Sequence, residues 1–318
     1  MGRMMVLYRK YGIFVILVLM CVVSSLLSPV FLTGANLTNV VRQISITTII
    51  ACAMTMLIIC GMIDLSSGSV VALSGCIGVS AYLASDLVIV GVLAAVLVGG
   101  LAGFVNGFVI TRYSLPPFIV TLAMMSVARG LAYLHTEGKP IINIGDFTVL
   151  GQSSVLGIPI PVIVLVLIII ITWVILTQTK LGRYLYGIGG NEEAAVYSGI
   201  DIKKIKVAVF VIAGLFTGLS GAVLMGRLNA GLPTAGEGFE FDAITAVIIG
   251  GTSFKGGVGN IFGTIIGALM IGVLNNILNL MNVSSFVQQV VKGVIIVLAV
   301  VLDVKTRSAM QGGKTLVK

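Results

Sequence analysis

The chain has 318 residues, 58% of them hydrophobic and 9% charged, with 40 glycines and a formal charge of +8. Soluble domains carry about 25% charged residues, so this composition, with a mean hydropathy of +1.17, excludes a water-soluble globule. Only 7% of residues are aromatic, which argues against a β-barrel with its aromatic girdles and for helices packed closely through small residues.

The expected fold is an all-α membrane protein, a single polytopic domain over 1–318, with room for about ten spans of about 20 residues. An apolar run from Gly12 to Leu27 follows Arg3, Arg9 and Lys10. It begins as a signal peptide would but lacks a small-residue cleavage site, so it is expected to remain as span one. Leu32 to Asn39 reads as a turn-rich loop, and the Asn36-Leu37-Thr38 sequon as a turn. Span two covers about Ile44 to Gly61 and span three about Ser69 to Leu83, with Asp64 to Ser69 breaking the apolar pattern between them. Irregular backbone at that depth survives only when buried in protein or lining a wet cavity.

Span four, about Leu87 to Thr111, carries Gly99, Gly103 and Gly107 at four-residue spacing, a face that another helix can approach closely. Span five runs from about Phe118 to Leu134, then a loop from His135 to Gly157, then span six from Ile158 to Leu176. Span seven, about Val207 to Leu228, has a second glycine series at Gly214, Gly218 and Gly221. Ala243 to Gly259 offers too few apolar residues for a regular crossing and is expected to be a broken or re-entrant segment. Spans nine and ten follow, about Ile261 to Leu280 and Ser284 to Leu302, before a basic tail. The fourth and ninth spans share a glycine pattern, which makes two related halves plausible.

The longest polar interval lies at 178–206. Within it, Asn191 to Gly199 reads as a short capped helix: Asn accepts from free amides, Glu192 and Glu193 suit the positive helix end, and glycine suits the stop. Placing this interval and both termini in the cytoplasm puts Arg112, Lys180, Arg183, Lys203, Lys204, Lys206, Lys305 and Arg307 inside. Asp86, Glu137, Asp146, Glu237 and Glu240 then lie outside, with Arg42 and Arg227 as exceptions. The cations sit at span ends and are not interleaved with aromatics, so they indicate membrane orientation and no nucleic-acid partner. A polar knob on a lipid-embedded chain is best used to fit into something soluble.

Enzyme chemistry has no constellation here. The single histidine, His135, lies in a loop, and Gly250 to Gly257 lacks the Gly-Lys-Ser/Thr ending of a phosphate loop, so no cofactor is expected and ATP would be bound elsewhere. Cys21, Cys52, Cys60 and Cys76 have no metal-site spacing and read as packing residues. Intramembrane polar groups are functional hypotheses by default. Asp64 with Ser66 either caps span three or belongs to a solute path or proton relay. Arg129 either snorkels toward His135 and Glu137 or lines a hydrophilic path. Asn106, Asn275, Asn276 and Asn279 suit sugar hydroxyls, and equally suit bonds between helices.

Several stretches together resemble the inner-membrane permease subunits of bacterial ABC importers for ribose and related sugars, relatives of the branched-chain amino acid permeases. They are Ile63-Asp64-Leu65-Ser66 with Gly68-Ser69, Pro116-Pro117-Phe118 through Arg129-Gly130, Gly182-Arg183 through Ser198-Gly199-Ile200, Pro233 through Asp242-Ala243-Ile244, and Gly250 through Ser253. Met62, Ser67 and Ala123 depart from the family's usual Gly, Val and Gly. The resemblance implies uptake of a monosaccharide, most simply ribose, by alternating access across the bacterial cytoplasmic membrane. It assigns docking on a separate ATPase subunit to Asn191, Glu192, Glu193, Ala194, Ala195, Ser198 and Gly199. It also implies an extracytoplasmic sugar-binding protein and a second permease copy. An ion-coupled secondary transporter with Asp64 as proton carrier is the rival.

Overall fold

A computed structural model describes the backbone of residues 2–312 and the side chains of 12–298, 300 and 301. The cationic side chains expected on the inner face at Arg3, Arg9, Lys10, Lys305 and Arg307, and the tail residues Lys314 and Lys318, lie outside the described residues. The helices in chain order are α1 (Gly2–Leu27), α2 (Gly34–Ile59), α3 (Ser67–Ser85), α4 (Val88–Tyr113), α5 (Pro117–Thr136), α6 (Val149–Gln152), α7 (Ile160–Gln178), α8 (Lys180–Gly190), α9 (Glu192–Tyr197), α10 (Ile202–Leu228), α11 (Phe239–Ile249), α12 (Ile261–Leu280) and α13 (Ser285–Gly312). A two-stranded hairpin of β1 (Ser154–Val155) and β2 (Ile158–Pro159) precedes α7.

The architecture is all-α, and among the described residues seven helices, α2, α3, α4, α5, α7, α10 and α12, are long and apolar enough to cross a membrane. Shorter apolar windows, Gly12–Leu27 and Ser285–Leu298, lie within α1 and α13. The expected re-entrant segment, Ala243 to Gly259, begins inside α11, which starts four residues earlier at Phe239 and whose 11 residues rise only about 17 Å.

The loop expected at Leu32 to Asn39 is a correction. Thr33 Oγ1 accepts the Asn36 amide, which starts α2 at Gly34 and puts the sequon residues in its first turns rather than in a turn of the chain. Capping alone accounts for this extension, since the hydroxyl satisfies an amide that the helix start leaves free.

The helices divide into enclosed and lipid-facing ones. Of the apolar window of α2, 83% is buried, against 22% for α7, so α2 forms the interior and the branched aliphatic α7 the rim. The two glycine series meet each other: α4 packs on α10, and a Cβ built on Gly103 would collide with the Phe210 carbonyl, while one on Gly214 would collide with Gly99. Lipid is as apolar as leucine, so the gain in such a seam is close van der Waals contact rather than exclusion of water.

After α11, Gly250 caps the helix and Gly251, Gly256 and Gly257 all take positive φ. This lets the 250–260 segment fold back on itself, with the Ser253 amide donating to the Val258 carbonyl at 2.8 Å. The Gly257 amide then donates to the Ile59 carbonyl at the end of α2, also at 2.8 Å. The segment is thus irregular backbone tied to the end of α2 and only partly covered, with Thr252 and Ser253 buried and Phe254 and Val258 exposed.

Candidate functional site: a capped surface helix and a polar chamber

Two places carry the polar chemistry of the chain, one at each end of the helix packing. At the first, the expected short helix is present as α9. Asn191 Oδ1 accepts the Ala194 amide at 2.9 Å, and Glu192 and Glu193 occupy the first turn. Ser198 ends the helix with its hydroxyl on the Ala194 carbonyl, and Gly199 follows at φ +77. Lys206 from α10 grips both oxygens of Glu192, at 2.8 and 2.9 Å. Ala195 is the one buried residue of the helix. Val196 and Tyr197 point outward, the tyrosine 91% exposed.

Beside it, Asp201 Oδ1 accepts the Lys204 amide and its carboxylate meets Lys204 Nζ at 2.9 Å. These contacts with Lys204 hold the Asp201 carboxyl below the usual carboxylate range.

The helix preceding α9 was not expected. In α8, Leu185 and Ile188 are buried and Leu181 packs against the core, which puts one apolar face on the protein and leaves Lys180, Arg183 and Tyr184 outside. The repeat Leu181, Leu185, Ile188 at four and three residues is the signal that marks an amphipathic helix. The Tyr186 hydroxyl of this helix donates to the Gly259 carbonyl at 2.8 Å. This contact joins the α8–α9 element to the irregular segment behind α11.

The second place is a chamber of about 820 Å³ walled by α5, the 234–238 loop, α11 and α13. Arg129, Glu237, Glu240, Gln288, Gln289 and Lys292 face it. Arg129 does not run toward His135 and Glu137. Its guanidinium donates to the Pro233 and Ala235 carbonyls and so fixes the loop that forms the chamber wall, while His135 Nε2 pairs with Ser80 Oγ at 2.8 Å. Lys292 of α13 reaches Asp242 Oδ2 at 2.9 Å, and Asn275 of α12 donates to the same oxygen at 3.2 Å. Asp242 is buried, so this pair ties three helices. Glu240 is 5% exposed, and no side chain among the described residues donates to its carboxylate.

Of the other expected path residues, none faces the chamber. The Asp64 carboxylate accepts both the amide and the hydroxyl of Ser66, and Asn106 donates to Ser66 Oγ at 3.0 Å. All three side chains are buried and form one hydrogen-bonded cluster at the break before α3, with the Asn106 side-chain oxygen left without a partner among the described residues. The carboxylate holds the residue that precedes the helix rather than the free amides of its first turn. Asn276 exchanges two hydrogen bonds with Asn36, at 2.9 and 3.1 Å, and Asn279 accepts from Gln288 at 2.8 Å. Sequence reasoning placed Glu240 outside and passed over Asp242 and Lys292. The available signal was an acidic residue opening the apolar run Ala243 to Ile249 and one lysine in the middle of the last apolar run.

The branched-chain amino acid transport system / permease component family model matches residues 36–300. Among curated proteins, the chain is 45% identical to the ribose import permease protein RbsC of Bacillus subtilis over 93% of each chain. It is 41% identical to the D-allose transport system permease protein AlsC of Escherichia coli, covering 93% of this chain and 92% of that one. For the L-arabinose transport system permease protein AraH of the same organism the identity is 36%, over 93% and 91%. No solved structure matches the chain. With the family model matching residues 36–300 and these relatives aligned over more than nine-tenths of each chain, the chain belongs to the branched-chain amino acid transport system / permease component family.

Proposed function

We propose that the chain is the membrane subunit of an ATP-driven ABC importer that takes up ribose or a closely related monosaccharide by alternating access. The relatives named for ribose, D-allose and L-arabinose transport support a neutral sugar as cargo. Adenosine triphosphate would be hydrolysed in a separate ATPase subunit, and an extracytoplasmic binding protein would deliver the sugar. A second copy of the permease completes the importer. The membrane is the bacterial cytoplasmic membrane, with ten crossings, two related halves and both termini inside. In that count α1, α13 and the α11 segment add to the seven long spans.

The observation that carries this reading is α9: a six-residue helix capped by Asn191, clamped by Lys206 and presenting Val196 and Tyr197 to solvent. So short a helix is not stable alone, and an exposed aromatic on it gains nothing until a partner covers it. ATPase closure would move α9 and, with it, α8. The Tyr186 contact to Gly259 would pass that movement to the 250–260 segment and so to α11, whose first turn forms part of the chamber wall. Replacement of Glu193 by arginine tests this: uptake should be lost while the protein still inserts in the membrane, and normal uptake would remove the coupling role.

An ion-coupled carrier built on Asp64 is less well supported. That carboxylate is buried and hydrogen-bonded to Ser66, which in turn accepts from Asn106.

A further inference from the structure

We propose that the chamber between α5, α11 and α13 is the sugar's resting site within the permease, and that Glu240 is the acceptor that reads its hydroxyl groups. This inference rests on the importer reading and adds the residues that touch the solute. The size suits one small polar molecule with water, since small-molecule sites run about 300–1,000 Å³.

The charges are arranged for an uncharged ligand. Lys292 is neutralised by Asp242, and the guanidinium of Arg129 spends donors on two loop carbonyls. Gln288 donates to Asn279 and to the Val283 carbonyl, leaving its amide oxygen free, while Gln289 brings an uncommitted amide. No single sign dominates, and hydroxyls find both donors and acceptors here.

Glu240 differs from its neighbours. It is nearly fully buried, faces the chamber and has no side-chain partner among the described residues. Its carboxylate lies against Gly68 in the first turn of α3, where a Cβ would collide with it, and the positive end of that helix makes the lone charge bearable. The carboxylate opens on the chamber, where it can accept from a sugar hydroxyl that displaces water. Hydrogen bonds to a charged group discriminate strongly against ligands that lack the donor.

The test uses the complete importer in proteoliposomes: permease, ATPase subunit and binding protein, with radiolabelled ribose. The Glu240→Ala variant should take up ribose at least about tenfold more slowly, the loss expected for one hydrogen bond to a charged group, and should co-purify with the ATPase as the parent does. Because Glu240 is buried and its replacement could unfold the protein, a Ser126→Cys variant at the exposed chamber mouth provides the independent arm. Its modification by a bulky methanethiosulfonate should block uptake, and ribose-loaded binding protein with ATP should slow that modification relative to the same variant without ribose. If the parent transports ribose but both the Glu240→Ala and the modified Ser126→Cys proteins transport equally well, the chamber is not on the path. If the parent itself fails to transport with ATP, the importer reading fails instead.

Discussion

Asn191 gives the sharpest test of α9, because it is the helix's only side-chain cap at the amino end. Its Oδ1 satisfies the Ala194 amide at 2.9 Å, and losing such a cap costs about 1 kcal/mol. Little else compensates: the Glu192–Lys206 pair has its carboxylate 55% exposed, and exposed pairs contribute about 0.2–1 kcal/mol. A six-residue helix near balance would therefore lose up to about fivefold of its folded population on Asn191→Ala, since about 1 kcal/mol is a factor of about five. The affinity of detergent-solubilised permease for its ATPase subunit, measured by titration, should weaken by two- to about fivefold. Asn191→Asp, which keeps the acceptor and adds charge at the positive helix end, should restore it. Unchanged affinity in the alanine variant, or equal weakening in both, would refute the capped helix as the docking element.

Further outcomes follow from the packing. Gly103→Ala should lower the midpoint of thermal unfolding, since overpacking costs about 1–3 kcal/mol and the added methyl meets the Phe210 backbone, whereas Gly130→Ala, with open space around it, should be neutral. Lys292→Met leaves buried Asp242 with Asn275 alone and should cost about 2–3 kcal/mol, somewhat below the usual 3–5 for a broken buried pair because Lys292 is 27% exposed. Asp242→Asn combined with Lys292→Met should recover at least half of that loss in the same unfolding assay. Tyr186→Phe should leave ATPase affinity unchanged but raise the ATP hydrolysed per sugar imported, measured in proteoliposomes, because only the link to Gly259 is cut.

Much of the fold was legible because lipid imposes strong rules on composition. Span boundaries from Ser69 to Leu280 fall within a few residues of the observed helices, except at the start of α10, where Asp201 caps a helix that begins five residues before the apolar run, and at the broken segment, where α11 ends at Ile249. The glycine series foretold close approach but not which helices meet, since a small-residue face says nothing about its partner. The α9 cap was readable because Asn, two Glu and Gly act locally. The chamber was not, because it is assembled from α5, α11 and α13, far apart in sequence. Asp64 and the asparagines looked like path residues for a physical reason, their cost at membrane depth. That cost is met by partners inside the protein, as the Asn36–Asn276 exchange illustrates, and only Arg129 of that set faces open space.

The central claim is that α9 is held by a separate ATPase subunit. Photo-crosslinking from position 197, where the tyrosine is 91% exposed, tests it most directly in membranes containing the assembled importer. A crosslinked product with the ATPase subunit, lost when that subunit is omitted, is the result expected; crosslinks confined to lipid or to the extracytoplasmic binding protein would contradict it.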